Sequence, residues 1–240
     1  MRIFIIFFIF VFTFILPILS QEELIEFFDD FEKGTAEKWE ARNPNDWEIV
    51  KENNNHYYFL KVPGKLEGPI RKPGAFSLIK DLNLTDFTLI LDAKCLRSIE
   101  TKGRDIILVF GYQDETHFYY AHLSNYHDNF HNSILIVNGG DRKPILKGES
   151  IPRLNDTEFH HIRLRRDVES GLIEVYFDDF DFPIIKAVDK TFLFGRIGVG
   201  SFDDIGGFDN IKVIGKIKKW FDYKNNFNII NFHFLGTNLI

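Results

Sequence analysis

Cysteine is almost missing: Cys95 is the only one in 240 residues, so no intramolecular disulfide can form. The fold must then rely on the size of its core or on a bound metal. Positive charge is also in deficit. Lysine and arginine number 29 against 35 aspartates and glutamates, a formal net charge of −6. Such a surface has no footprint for phosphate backbones, which excludes nucleic acid as a partner. The apolar residues show no amphipathic helix of any length and no repeat at about 20–50 residues, so helix bundles, propellers and solenoids drop out. There is no H-E-x-x-H zinc motif and no G-x-S-x-G nucleophile elbow.

What the chain has in abundance is phenylalanine, 27 residues of it. With Tyr, Ile and Val it suits a half-buried pleated surface. The first twenty residues read differently. Arg2 is followed by an apolar run from Ile3 to Leu16, broken only by Thr13, then by Pro17 and by Ser20 before Gln21-Glu22-Glu23. The pattern predicts a secretory signal peptide over 1–20, cleaved after Ser20. Ile18, two residues earlier, is larger than that cleavage prefers, which keeps an uncleaved anchor as the alternative. The run falls short of the about 20 residues a spanning helix wants. No cysteine follows it, so a lipoprotein anchor is excluded. The expectation is a secreted or periplasmic domain over 21–215 with no membrane role beyond export, followed by a tail over 216–240. Without the leader, which carries Arg2 and no acid, the charge becomes −6 − 1 = −7.

Strict alternation over Asp86–Leu96 predicts a strand, with Phe87, Leu89, Leu91, Ala93 and Cys95 on one face. Phe159–Arg166 and Leu172–Asp178 flank a Ser170-Gly171 turn and read as a hairpin, Ile162 and Leu164 facing the core with Ile173, Val175 and Phe177. Arg163 and Arg165 then share the outer face with Glu174 and Tyr176, a cross-strand charge pattern. Three further strands are expected at Asp105–Gln113, His117–Leu123 and Asn132–Asn138, and two more at Arg196–Phe202 and Phe208–Ile214. Pro63, Pro69 and Pro73 make Gly64–Gly74 a loop. About a dozen short strands with turns between them predict an all-β antiparallel sandwich.

FFDDFEKG near the start, TEFHHIRLRRD-x-ESGLIEVYFDD in the second half and GRIGVGSFDDIGGFDNIKV at the end occur in an order that resembles the concanavalin A-like lectin/glucanase group, laminin-G-like members included. The chain is also similar to the 3-keto-disaccharide hydrolase domain family. The resemblance spans about residues 24–214 and implies a two-sheet jelly roll. It implies carbohydrate binding, a glycan-active hydrolase or lyase, or a laminin-G-like protein-interaction module, and the motifs do not separate the three. The Glu-x-Asp-x-x-Glu strand motif of the laminarinase-type enzymes is absent.

Two sets of site residues follow. Asp209 alternates in phase with Ile211 and Val213, which predicts an inward carboxylate in need of a cation or hydrogen bonds. The jelly roll implies that the first and last strands adjoin, bringing Asp30, with Asp29 beside it, toward Asp209. The resemblance implies a structural calcium there, oxygen ligands suiting that ion. The alternative is that these acids cap turns. Tyr112, Gln113, His117, Tyr119, His122, Asn138 and Arg142 supply aromatic faces and polar groups, the mixture that binds an oligosaccharide; alternatively they fill the edge of the core. His117, His122, His127 and His131 are spaced five, five and four apart, and odd offsets put strand side chains on opposite faces, which argues against a zinc site made from them.

Overall fold

A computed structural model describes residues 23–146 and 152–217. The expected leader and nearly all of the expected tail lie outside the described residues. Fifteen strands and one short 3-10 turn make up the rest. They are β1 (Glu23–Asp29), β2 (Trp39–Ala41), β3 (Trp47–Glu52), β4 (Asn55–Leu60), β5 (Ala75–Ile79), β6 (Leu84–Cys95), β7 (Asp105–Asp114) and β8 (His117–Ser124). Then follow β9 (Ser133–Asn138), β10 (Lys143–Pro144), β11 (His160–Arg166), β12 (Leu172–Phe177), β13 (Ile185–Val188), β14 (Arg196–Ser201) and β15 (Gly206–Ile217).

The strands form two antiparallel sheets. The eight-stranded sheet runs β13-β12-β11-β6-β15-β4-β3, with β1 also on β15. The seven-stranded sheet runs β10-β9-β8-β7-β14-β5-β2. The chain ends meet as expected: Asp29 lies opposite Ile211 in the β1–β15 pairing. The hairpin register is also as read from the sequence, with Arg163 opposite Tyr176 and Arg165 opposite Glu174. The last strand extends to Ile217, three residues past the expected end at Ile214.

Between the sheets lies the main core. Leu89, Leu91, Ala93 and Cys95 of β6 are fully buried in it with Ile106, Leu108, Phe110 and Tyr119 of the other layer. A second apolar cluster covers the outer face of the seven-stranded sheet: Phe76, Leu78, Ile107, Val109, Phe118, Tyr120, Leu135 and Val137. Sandwich sheets commonly leave that face to water. Here the segment around Ile70 packs over it, anchored by Gly74 N–H on the Phe202 carbonyl at 3.0 Å and Arg142 N–H on the Arg71 carbonyl at 3.0 Å. Two glycines of β14 permit the close approach of β5. A Cβ on Gly198 would stand 2.2 Å from Ser77 O, and one on Gly200 2.2 Å from Ala75 O.

Candidate functional site

The seven residues expected to line one ligand surface are divided by the pleat of β8. Tyr119 faces the core between the sheets, whereas Phe118, Tyr120 and His122 face the opposite way. Tyr119 donates its hydroxyl proton to Asp189 and accepts the Phe192 N–H. Its phenol is pushed up to about 12, by burial first and then by the Asp189 carboxylate. Around that loop gather Gln113, whose amide donates to the Phe194 carbonyl, and His117, whose ring meets Phe192 edge-on. Asn138, exposed, is the cross-strand neighbour of His117. Tyr112 belongs to the outer face, against Phe76 and Phe118. The seven therefore do not form one surface: successive strand residues alternate sides, and both sides of this sheet are covered.

His122 and Arg142 do converge, on the outer face of the seven-stranded sheet. Arg142 donates to the Tyr120 hydroxyl at 3.1 Å and lies 3.9 Å over the Phe202 ring. His122, 1% exposed, donates from Nδ1 to the Phe130 carbonyl at 2.9 Å. Its Nε2 faces Asp105 Oδ2 at 3.5 Å. Beside that carboxylate the β14–β15 turn brings Asp203 and Asp204, and the three acids offer oxygens within 4.8 Å of one another. Asp105 Oδ1 accepts from Ser201 Oγ and from Phe202 N–H, both at 2.8 Å. Asp204 Oδ2 accepts the Asp105 N–H at 2.9 Å. Burial alone would raise the Asp105 carboxyl. The His122 ring, the Phe202 N–H and the Ser201 hydroxyl outweigh it and hold the group below its usual range. Burial, and then the Asp105 charge, push Asp203 up and Asp204 up to about 6.

Asp30 and Asp209 are placed differently from the expectation. Asn210 adopts a left-handed conformation (φ 48°) and the pairing with β6 slips between Asp209 and Lys212. This bulge shifts the phase of the strand. Phe208, Ile211 and Val213 enter the core, and Asp209 turns to the outer side, opposite Asp92. It is 3% exposed, accepting from Asn55 Nδ2 at 2.8 Å and Asn210 N–H at 2.7 Å. Burial is the first cause of its raised carboxyl, with Asp92 and Glu32 adding to it. Asp30 caps the Glu32 N–H at 3.3 Å, and Asp29 accepts from the Trp39 indole at 3.0 Å. Calcium takes six to eight oxygens; among the described residues the group of three acids able to hold a metal is Asp105, Asp203 and Asp204 instead.

An open cleft of about 550 Å³ lies where the edges of the two sheets diverge, between β2 and β3. Trp39, Trp47 and Tyr58 form its deep side, each 4–6% exposed. Trp47 stacks on Tyr58 at 4.4 Å, and Tyr58 on Phe31 at 5.4 Å. Glu40, Glu48 and Lys80 stand at the exposed rim. Glu40 is bonded to Arg196 at 2.7 Å and Glu48 to Lys61 at 3.0 Å. Sequence reading passed over this cleft, because its two tryptophans fall on short strands of different sheets. The tryptophans themselves, two of three in the chain, were the available signal.

No family model matches the sequence, and no curated protein matches it. Solved structures do match in shape. A winged bean acidic lectin complexed with methyl-α-D-galactose aligns with TM-score 0.54 at 8% identity, over 82% of this chain and all of the lectin. Carbohydrate binding module CBM66 from Bacillus subtilis aligns with TM-score 0.50 at 20% identity, over 73% of this chain and 94% of the module. The cellulose induced protein Cip1 aligns with TM-score 0.52 at 14% identity, over 79% and 96%. At these identities the likeness is one of fold. The chain has a concanavalin A-like jelly-roll fold, as those three structures do.

Proposed function

We propose that the domain binds carbohydrate in the cleft at the open edge of the sandwich, without cleaving it. The observation that carries this reading is the pairing of an aromatic deep side with a charged rim: Trp39, Trp47 and Tyr58 below Glu40, Glu48 and Lys80. A pyranose presents a C–H face that packs on aromatic rings and hydroxyls that bond to charged groups. A cleft of about 550 Å³ lies within the range that holds small ligands, about 300–1,000 Å³. Both rim carboxylates are ion-paired, Glu40 with Arg196 and Glu48 with Lys61, and keep lone pairs that can accept hydrogen bonds from sugar hydroxyls. The named binding partners of the fold neighbours support the same class of ligand. The apolar run after Arg2 supports a secreted or periplasmic setting for this binding.

A glycan array on the purified domain, followed by reducing-sugar release from every glycan bound, tests the reading. Binding without release is expected. Glu48→Gln and Lys80→Ala should each weaken it several-fold and leave the melting temperature in place. Failure to bind any glycan, or binding indifferent to both changes, refutes the cleft. Release of sugar refutes the claim that the site only binds.

A further inference from the structure

We propose that the cleft recognises an N-acetylated amino sugar, its acetamido methyl group on the aromatic deep side and its amide between the charged groups of the rim. This narrows the carbohydrate reading, on which it rests, to one substrate class. The deep side is barely open: Trp39 is 5% exposed, Trp47 6% and Tyr58 4%. An aromatic side chain has about 150–250 Å² to bury, so each ring shows about 10 Å² and the three together about 30 Å². At about 25 cal/mol per Å², the transfer energy of one methylene corresponds to about 30 Å² as well. The face of a pyranose, several C–H groups across, is larger. What reaches the rings is therefore one small apolar group, with the sugar ring above it.

Two of the three rings have also spent their polar atoms elsewhere. The Trp39 indole N–H is given to Asp29 Oδ2 at 3.0 Å, and the Tyr58 hydroxyl is bonded to Ser77 Oγ at 3.1 Å. Both partners are themselves buried. A sugar hydroxyl pressed onto Trp39 or Tyr58 would give up its bonds to water and gain none from them, which is costly. A methyl group gives up nothing there. Ala36, Ala41 and Ile49, each half-buried, continue the carbon surface toward the rim.

The rim differs in kind. Glu40 and Glu48 only accept hydrogen bonds, and Lys80 only donates them. Each has capacity to spare. The carboxylates keep lone pairs beyond those facing Arg196 and Lys61, and Lys80 commits one proton to the Glu37 carbonyl at 2.6 Å. A hydroxyl both donates and accepts, so it has no special need of such one-sided partners. A secondary amide carries its donor and its acceptor on separate atoms and needs one partner of each sense. An acetamido group matches all three features: methyl to the rings, N–H to a rim carboxylate, C=O to Lys80. A 6-deoxy sugar brings a methyl without the amide, and a free amino sugar lacks both methyl and carbonyl.

The test is calorimetric titration of the purified domain with N-acetylglucosamine and N-acetylgalactosamine, their parent hexoses glucose and galactose, glucosamine and fucose. At least one N-acetyl sugar should bind about tenfold or more tighter than its parent hexose, glucosamine or fucose, the discrimination that one small apolar group in a pocket gives. Lys80→Ala, a change at an exposed position, should cut that advantage several-fold and leave the melting temperature in place. Parent hexoses bound as tightly as the N-acetyl sugars overturn the acetamido assignment and leave the cleft reading standing. Fucose bound as tightly shows that a methyl alone suffices, and glucosamine bound as tightly that the nitrogen does; either overturns the assignment. So does an advantage that Lys80→Ala leaves intact. Failure to bind either N-acetyl sugar, in a domain that binds other glycans on the array, overturns it as well. An array with no bound glycan removes the cleft reading and this assignment together.

Discussion

Removing one oxygen from Tyr120 should loosen the whole outer face of the seven-stranded sheet. The Tyr120 hydroxyl is fully buried and accepts from Arg142 Nη1 at 3.1 Å, while Arg142 Nε has no partner among the described residues. Burial pushes the Tyr120 phenol up, and the facing guanidinium draws it partly back. Tyr120→Phe therefore strips a buried charged group of a hydrogen bond, which costs about 1.5–3 kcal/mol. In a domain of this size each kcal/mol moves the melting temperature by about 2–4 °C, so the drop should be about 3–12 °C. Arg142→Met loses the same bond together with its stacking over Phe202 at 3.9 Å and Phe130 at 5.0 Å. The cation–π part is worth about 2 kcal/mol where it is desolvated. Urea melts of wild type, both single variants and the double variant, followed by near-ultraviolet circular dichroism, give a coupling energy. The hydroxyl bond is lost once in the double variant, so the two costs should fall short of adding by about 1.5–3 kcal/mol. Costs that add to within about 0.5 kcal/mol would show that the bond stabilises nothing.

Other outcomes follow from the same structure. Gly200→Ala would place a methyl 2.2 Å from Ala75 O and 2.7 Å from Phe76 Cα; a thermal melt should show a cost of about 3 kcal/mol, whereas Gly140→Ala, with nothing within 4 Å, should be neutral. Cys95 is fully buried and burial pushes its thiol up, so a thiol reagent should label it only as fast as the protein unfolds; immediate labelling would contradict the core assignment. Asp128 caps the Phe130 and His131 amides, which outweigh burial and hold its carboxyl down at about 2. A depressed carboxylate contributes stability above its unfolded value of about 3.9 and loses it as the pH falls through the folded one. Asp128→Asn should therefore flatten the fall in melting temperature between about pH 4 and about pH 2; an unchanged acid limb would refute the capping role.

The sequence disclosed those strands that are buried on one side. In β6 the alternation of Phe87, Leu89, Leu91 and Ala93 with polar neighbours is plain, and so is the hairpin of β11 and β12 with Arg163 and Arg165 outside. In β8 the run Phe118 to Ser124 is buried on both faces, so no alternation marks which side carries which residue. That is why Tyr119 and His122 were placed on one surface although the sheet lies between them. Asp209 misled for another reason. A single left-handed residue, Asn210, shifts the phase of β15, and asparagine tolerates that conformation without announcing it. The acid cluster joins positions 105, 203 and 204, and the cleft joins 39, 47 and 58; each depends on pairings that only the closed sandwich defines.

The claim that matters most is that sugar sits against Trp39 and Trp47. In a Trp220→Phe background these are the remaining tryptophans, so emission reports on the cleft alone. Titrating an oligosaccharide that binds on the array should shift their emission and shield it from iodide with the same midpoint as binding measured calorimetrically. Calorimetric binding that leaves tryptophan emission and quenching unchanged would place the sugar elsewhere and contradict the account.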